Sequence, residues 1–362
     1  MKENLNSHYF HAEAHALTGK LTKPFEEQIK KQAFVKLEGQ SQHLLLESNG
    51  EKLEEIEAIR KLREKRAQEN YFSQHAKNFR LEGIISYTAA HTQVSGHRSK
   101  KNPQAFVTLA TSVVENLNIL NVVTADKVVG QISTTHFPGQ YSPHVTFLGT
   151  HFENLRIARH KCEPALKLAF AGARPDGKEA IYPAKGTGLI ASLEKQYQGL
   201  REKLEEFKSR LQPEHVARLN ADDSWLSRQY HKFADFKGEE LPQIPRESAG
   251  KDAKAVNGND GRRDSVTCSL VEHVEIEDIV IPVKGEDPKD PPPPIVYHPP
   301  AHCFGHVIHV PDFGTIFLAE LKVNHNSFHL TMIRLELGCI ADGSASIATC
   351  NVNGGGKGSG GS

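Results

Sequence analysis

Alternation with a period of two dominates this chain. In "AFVTLATSVVENLNILNVVTADKVVGQIST" (105–134), β-branched residues recur between polar ones. Strand geometry puts Thr108, Ala110, Ser112 and Val114 on one face and Val107, Leu109, Thr111 and Val113 on the other. "NLNIL" and "TADKVV" are expected to be turns or bulges that redirect the strand. The same texture fills "FRLEGIISYTAA" (79–90) and continues in "HVTFLGTHFENLRIARH" (144–160), read as two short strands about Gly149 and Asn154. It returns in "SVTCSLVEHVEIEDIVIPV" (265–283), "FGHVIHVPDFGTIFLAELKV" (304–323) and "FHLTMIRLELGCIADGSASIATC" (328–350). The predicted fold is mainly β, an antiparallel sandwich or jelly-roll-like core with an inserted α-helical hairpin.

Two segments depart from that period. "NGEKLEEIEAIRKLREKRAQEN" (49–70) is dense in strong helix formers with a narrow apolar stripe, which predicts a surface helix near 50–70. Further on, Leu189, Leu193, Tyr197, Leu200, Leu204, Phe207 and Leu211 recur at intervals of three and four, a heptad-like seam. Pro213 suits a helix start, and Val216, Leu219, Leu226, Tyr230 and Phe233 supply a second apolar face. Residues 188–236 are therefore expected to form an antiparallel hairpin that could be excised without loss of the β core. The predicted layout is an N-terminal β-rich part over 1–183, the hairpin insertion over 184–236 and a flexible linker over 237–263. Strands over 264–350 then complete the core, with an extended Pro-rich connection at 284–300 and a disordered Gly-rich tail at 351–362.

Histidines are the natural candidates for chemistry. In "YFHAEAHAL" (9–17) the strand reading sets Phe10, Ala12, Ala14 and Ala16 on a packed face and His11, Glu13 and His15 on a solvated one. Spaced about 7 Å per two residues, those three cannot share one ion without a bend. "HPPAHCFGHVIHV" (298–310) holds His298, His302, Cys303, His306 and His309, and a strand there separates His306 from His309. His302 and His306 could meet at the strand entry, and His325 with His329 could complete a set. A jelly-roll metal enzyme places histidines on adjacent strands in this way. His302, His306, His325 and His329 are thus the candidate ligands of zinc, iron or manganese; no catalytic or other cofactor-binding residue is singled out.

Composition narrows the classes. Lysine plus arginine and aspartate plus glutamate each number 44, so net charge is zero, which argues against a dedicated nucleic-acid binder. No Gly-rich phosphate loop, HExxH or GxSxG elbow occurs. Five cysteines without a CxxC pair read as reduced, mostly buried small apolar residues. No signal-peptide core or membrane span is visible, so the expected location is the cytoplasm, with non-classical export as the other route.

The motifs "ATSVVENLNILNVVTADKVV" and "FLGTHFENLRI" resemble uncharacterised bacterial β-rich proteins. Over about residues 105–160 they also resemble choice-of-anchor-type surface domains, which carry a similar strand pair followed by a short strand. The resemblance implies a β-rich domain and supplies no catalytic residue. The expected function is a non-enzymatic structural or binding module that self-associates into a homo-oligomer or larger assembly, or binds a protein partner. A metal-dependent enzyme of cupin or jelly-roll type with a His-lined site is the alternative.

Overall fold

A computed structural model describes residues 8–41, 71–102, 104–137, 140, 142–173, 188–210, 212, 265–281, 293–324, 327–338 and 341–353. In chain order the strands begin with β1 (His8–Lys23), β2 (Glu27–Gln32), β3 (Val35–Ser41), β4 (Tyr71–Leu81) and β5 (Ile85–Arg98). They continue as β6 (Phe106–Ile119), β7 (Val123–His136), β8 (His144–Thr146), β9 (His151–Glu153), β10 (Arg156–Ile157) and β11 (His160–Leu166). Helix α1 (Gly188–Ser209) precedes β12 (Ser265–Ser269), β13 (Val271–Ile276), β14 (Ile279–Ile281) and β15 (Ile295–Tyr297). The last strands are β16 (His302–Phe304), β17 (Val307–Val310), β18 (Gly314–Asn324), β19 (Ser327–Leu337) and β20 (Asp342–Asn353).

These strands build two large antiparallel sheets, the mainly-β sandwich with an inserted helix that the alternation predicts. One sheet runs β16-β17-β18-β19-β20-β1-β2, with β12 on β18 and β3 on β1. The other runs β13-β11-β10-β7-β6-β5-β4, with β8 and β9 on β7. For brevity they are sheet A and sheet B. The N-terminal strand β1 pairs along most of its length with the C-terminal β20, from His11↔Asn353 to Lys23↔Asp342. Strand β20 thus runs three residues into the segment expected to be a disordered tail. The surface helix near 50–70, the second hairpin helix, the 237–263 linker and most of the Pro-rich connection lie outside the described residues.

A transverse crease crosses both sheets and changes which alternate residues face inward. In β6, Phe106, Thr108, Ala110, Ser112 and Val114 are buried; beyond Asn116 the buried set becomes Leu117 and Ile119. Asn116 has φ 51°, and the ladder steps over it, between Glu115↔Lys127 and Leu117↔Ala125. The predicted face of Thr108 through Val114 is therefore right, but it ends at the crease. "NLNIL" contains this kink and leads to the turn at Leu120 and Asn121, whereas "TADKVV" stays within β7. Neighbouring strands change phase at the same row: Ala90, Thr92 and Val94 against Ile85 and Tyr87 in β5, and Val128 and Ile132 against Val123 and Ala125 in β7. In sheet A the row passes Ala319 (φ 46°) in β18 and Ala348 (φ 51°) in β20. Asparagine tolerates the left-handed region; alanine there costs roughly 1–2 kcal/mol, which surrounding packing must offset.

The crease of sheet A lies close against sheet B at Gly130, which pairs with Ser112, four residues along β6 from the crease at Asn116. A Cβ on Gly130 would lie 2.8 Å from the carbonyl oxygen of Ala348 and 3.0 Å from Met332 Cγ. Across the same gap Ser112 Oγ donates to the carbonyl of His15 at 2.9 Å, and Cys350 Sγ to that of Gly130 at 3.2 Å. These pins satisfy backbone acceptors that a dry interface would otherwise leave unpaired.

Helix α1 closes one side. Its buried stripe, Leu189, Ile190, Leu193, Tyr197, Leu200 and Leu204, belongs to the sandwich core. Gln196 Nε2 donates to the carbonyls of Ser269 and Val271, both at 3.1 Å, and its Oε1 accepts from Ser269 N at 2.9 Å. Tyr197 Oη donates to Thr267 O at 2.6 Å. These bonds clamp the corner where the chain passes from β12 in sheet A to β13 in sheet B. The helix thus contributes its apolar side to the core as an insertion between β11 and β12.

The crease generates a direct test. Asn116 is exposed, so its substitution reports mainly on backbone conformation. Asn116→Gly is expected to stay within about 0.5 kcal/mol of wild type in urea unfolding, whereas Asn116→Val loses roughly 1–2 kcal/mol. Equal stability of the two variants would contradict a left-handed residue at this row.

Candidate functional site

Of the predicted metal ligands, His325 lies outside the described residues. The other three do not converge. His302 pairs with His309 across β16 and β17, their rings nearly parallel with centroids 6.4 Å apart, and Phe207 of α1 packs on His302 at 4.7 Å. His306 occupies the turn between those strands, buried, with its carbonyl accepting from Leu318 N at 3.0 Å. His329 pairs with Lys322 at the far end of β18, seven residues along from Thr315, which pairs with His309. Seven residues of strand is about 23 Å. A shared ion needs ligands within roughly 2 Å of it. The strand separation of His306 from His309 fails for a simple reason: Gly305 (φ 62°) makes a turn there, not a continuous strand. Among the described residues, no three histidine, cysteine, aspartate or glutamate side chains are grouped to hold a metal.

The opening stretch is a strand, with Phe10, Ala12, Ala14 and Ala16 buried. Glu13 on its outer face is approached by Lys31 at 3.4 Å and Lys36 at 3.7 Å, as a solvated face allows. His15 departs from that reading, being only 6% exposed, and burial lowers its pKa to about 4.

A histidine pair absent from the predicted set lies inside the sandwich. His8 of β1 stacks on Phe106 (4.8 Å, 11°) and lies 4.7 Å from His136 of β7. Arg98 sits over the Phe106 ring, 5.4 Å from its centroid. Neither His8 Nε2 nor His136 Nε2 has a hydrogen-bond partner among the described residues. Burial lowers the His8 pKa to about 4, and burial followed by His8 itself lowers that of His136 to about 3. Both are neutral near pH 7. Nothing in the sequence marks them, because the pair forms only when strands far apart in the chain come together.

Beside α1 lies a cleft of about 180 Å³, lined by Lys167, Lys195, Gln196, Lys203, Glu272 and His306 among others. Its polar groups are largely committed to structure: Gln196 to β12 and β13, and Lys167 to Ser192 Oγ at 3.4 Å. Nearby thiols are not activated. Burial pushes Cys162 up to about 12, and burial raises Cys303 against the opposing pull of Lys203. A protonated thiol is a poor nucleophile, so the cleft has no activated attacking group of this kind.

Exposed β-structure is the more distinctive feature. Among the described residues, strands β14 and β15 pair only with each other, through Ile279↔Tyr297, Val280↔Val296 and Ile281↔Ile295. Val280, Ile281, Ile295, Val296 and Tyr297 are all 43–55% exposed. Asp278 and His298, 3.0 Å apart, staple the base of this arm. At one edge of sheet B, Tyr71 and Phe72 of β4 are also exposed. "IVIPV" and "PPPPIVYHPP" read in sequence as strand and stiff connector; only their mutual pairing shows an apolar arm.

The fold and these surfaces define an antiparallel β-sandwich with a helical closure and exposed β-edges. Residues 70–324 match the family described as Domain of unknown function (DUF8256), and the chain belongs to that family. The matched span runs from β4 to the end of β18, leaving β1–β3, β19 and β20 outside it. No curated protein and no solved structure matches the chain. No helix among the described residues is long and apolar enough to cross a membrane.

Two measurements follow from the histidines. Because His302, His306 and His329 do not converge, purified protein is expected to carry zinc, iron or manganese below one ion per chain, and a chelator to leave its melting temperature unchanged. One tightly held ion whose removal destabilises the fold would show otherwise. The second concerns acid. A folded pKa below the unfolded value of about 6.5 means the unfolded chain takes up protons first as pH falls. The stability contributed by a neutral buried His8 or His136 is therefore intact above about pH 6.5 and lost toward about pH 4, by up to roughly 1.4 kcal/mol per pH unit per group. Urea midpoints should fall over that window, and less so in His8→Leu/His136→Leu. An identical slope in that variant would remove the pair as the cause.

Proposed function

We propose that this chain is a non-enzymatic structural or binding module that associates with further copies of itself. The observation that carries this reading is the β14–β15 arm. An isolated two-stranded ribbon is marginal in water, because neither face is covered by a second layer. Here the ribbon presents large apolar side chains on both faces: Val280 and Val296 on one, Ile279, Ile281, Ile295 and Tyr297 on the other. Clustered exposed apolar surface of this kind is characteristic of protein contact sites. Among the described residues, the raised thiols and the separated histidines give no competing site of comparable definition.

Size-exclusion chromatography with light scattering, at tens of micromolar, tests the reading. Wild-type protein is expected to elute above monomer mass. Ile281→Asp/Tyr297→Asp places two carboxylates on one face of the arm and is expected to weaken association at least tenfold while the melting curve is retained. A wild-type chain that is monomeric under these conditions would overturn self-association.

A further inference from the structure

Sheet B ends in two strands, β4 and β13, each without a sheet neighbour on its outer side among the described residues. Their charges are opposite. Over 71–81, β4 carries His75, Lys77 and Arg80 and no carboxylate. Over 271–281 the chain carries Glu272, Glu275, Glu277 and Asp278 and no lysine or arginine. Lys77, Arg80, Glu272 and Glu275 are exposed and make no ion pair among the described residues. Glu277 is held by Lys161 at 3.0 Å and Asp278 by His298 at 3.0 Å, so the acidic edge is only partly neutralised from within.

The charges also lie on the same side of the sheet. Ala76, Phe79 and Leu81 of β4 pack on the core, which turns His75, Lys77 and Arg80 outward; the crease at Asn78 (φ 54°) is what keeps Lys77 and Arg80 on one face. In β13, Val274 and Ile276 pack inward, turning Glu275 outward. Six antiparallel pairings link β4 to β13, through β5, β6, β7, β10 and β11. An even number of reversals makes the two edge strands run in the same direction. A second copy carried along the sheet and rotated by the twist the sheet accumulates between its edges therefore brings its β4 alongside the first copy's β13 as a parallel pair with outer faces level. Glu272 and Glu275 are three residues apart, as are Lys77 and Arg80, and the register shift between Ala165↔His273 and Leu166↔Val271 leaves Glu272 exposed as Glu275 is, so both oppositely charged pairs can form in one register.

We infer that sheet B continues from copy to copy, the acidic β13 edge of one chain pairing head to tail with the basic β4 edge of the next. This rests on the self-association proposed above and names its geometry. The joint is heterologous and leaves one free edge at each end, so it propagates into an open filament or closes into a ring. The symmetric alternatives, β4 on β4 or β13 on β13, set like charges against each other, which is destabilising between adjacent strands.

Two charge-reversed chains test it by sedimentation velocity at low ionic strength. Lys77→Glu/Arg80→Glu makes both edges acidic, and Glu272→Lys/Glu275→Lys makes both basic. All four positions are exposed, and an unchanged melting curve confirms folding. Each variant alone is expected to sediment as monomer, and an equimolar mixture to regain species above monomer. Wild-type assembly should weaken with added salt, as the screening length falls to about 3 Å at 1 M. If both variants assemble as wild type does, while the arm variant does not, head-to-tail pairing is wrong and association through the arm stands. If the mixture stays monomeric while wild type assembles, head-to-tail pairing is likewise overturned. A monomeric wild-type chain would overturn both.

Discussion

The sandwich depends on how closely its two sheets meet at the crease. The carbonyl of Ala348 occupies the space a Cβ on Gly130 would need, while Ser112 reaches across to the carbonyl of His15. Such an approach is possible only where one sheet offers no side chain and the other turns backbone toward it. Ala319 and Ala348 provide that turn in sheet A by adopting the left-handed region, whereas the crease of sheet B at Asn78 and Asn116 lies away from the contact, four residues along β6 from Ser112. The change of phase then decides which residues of each long strand enter the core. Leu117 and Ile119, rather than Asn116 and Asn118, finish the interior of β6.

With that interface fixed, the remaining elements have defined tasks. Strands β1 and β20 join the two ends of the chain in sheet A, opposite β6 and β7. The passage from β12 to β13 carries the chain from one sheet to the other, and α1 clamps that corner through Gln196 and Tyr197. This arrangement buries the hydrophobic side of the helix and leaves its polar side over a narrow cleft lined by lysines. Histidines fall into the dry interior where strands from distant parts of the chain meet, as His8 does beside His136. Buried without partners for their Nε2 atoms, they are held neutral, which makes the fold more sensitive to acid than its balanced charge suggests.

What the sandwich leaves uncovered is as informative as what it buries. Edge strands are usually protected by charge, a bulge or a covering element. Here β4 and β13 carry charge, but of opposite sign, so the device that discourages pairing of like edges favours pairing of unlike ones. Among the described residues the β14–β15 arm has no such protection. These surfaces are the basis of the assembling role proposed for this member of the DUF8256 family.

By itself the sequence determined the class of fold, because a period of two over 105–134 and 265–350 is satisfied only by strands buried on one side. It also determined α1, through the spacing of Leu189, Leu193, Tyr197, Leu200 and Leu204, and the turns at Gly149 and Asn154. The strand reading of "YFHAEAHAL" was legible for the same reason, since small alanines on alternate positions suit a tight interface. The positions of the histidines were not: whether His302, His306 and His329 meet depends on register across β16 to β19, which local pattern does not encode. Nor does alternation reveal a change of phase, because one left-handed residue such as Asn116 alters every face beyond it without altering composition. The opposite charges of β4 and β13 are visible in the sequence, yet only the tertiary structure makes them the two ends of one sheet. Edges are defined by which strands remain unpaired, and that is settled by packing of the whole chain.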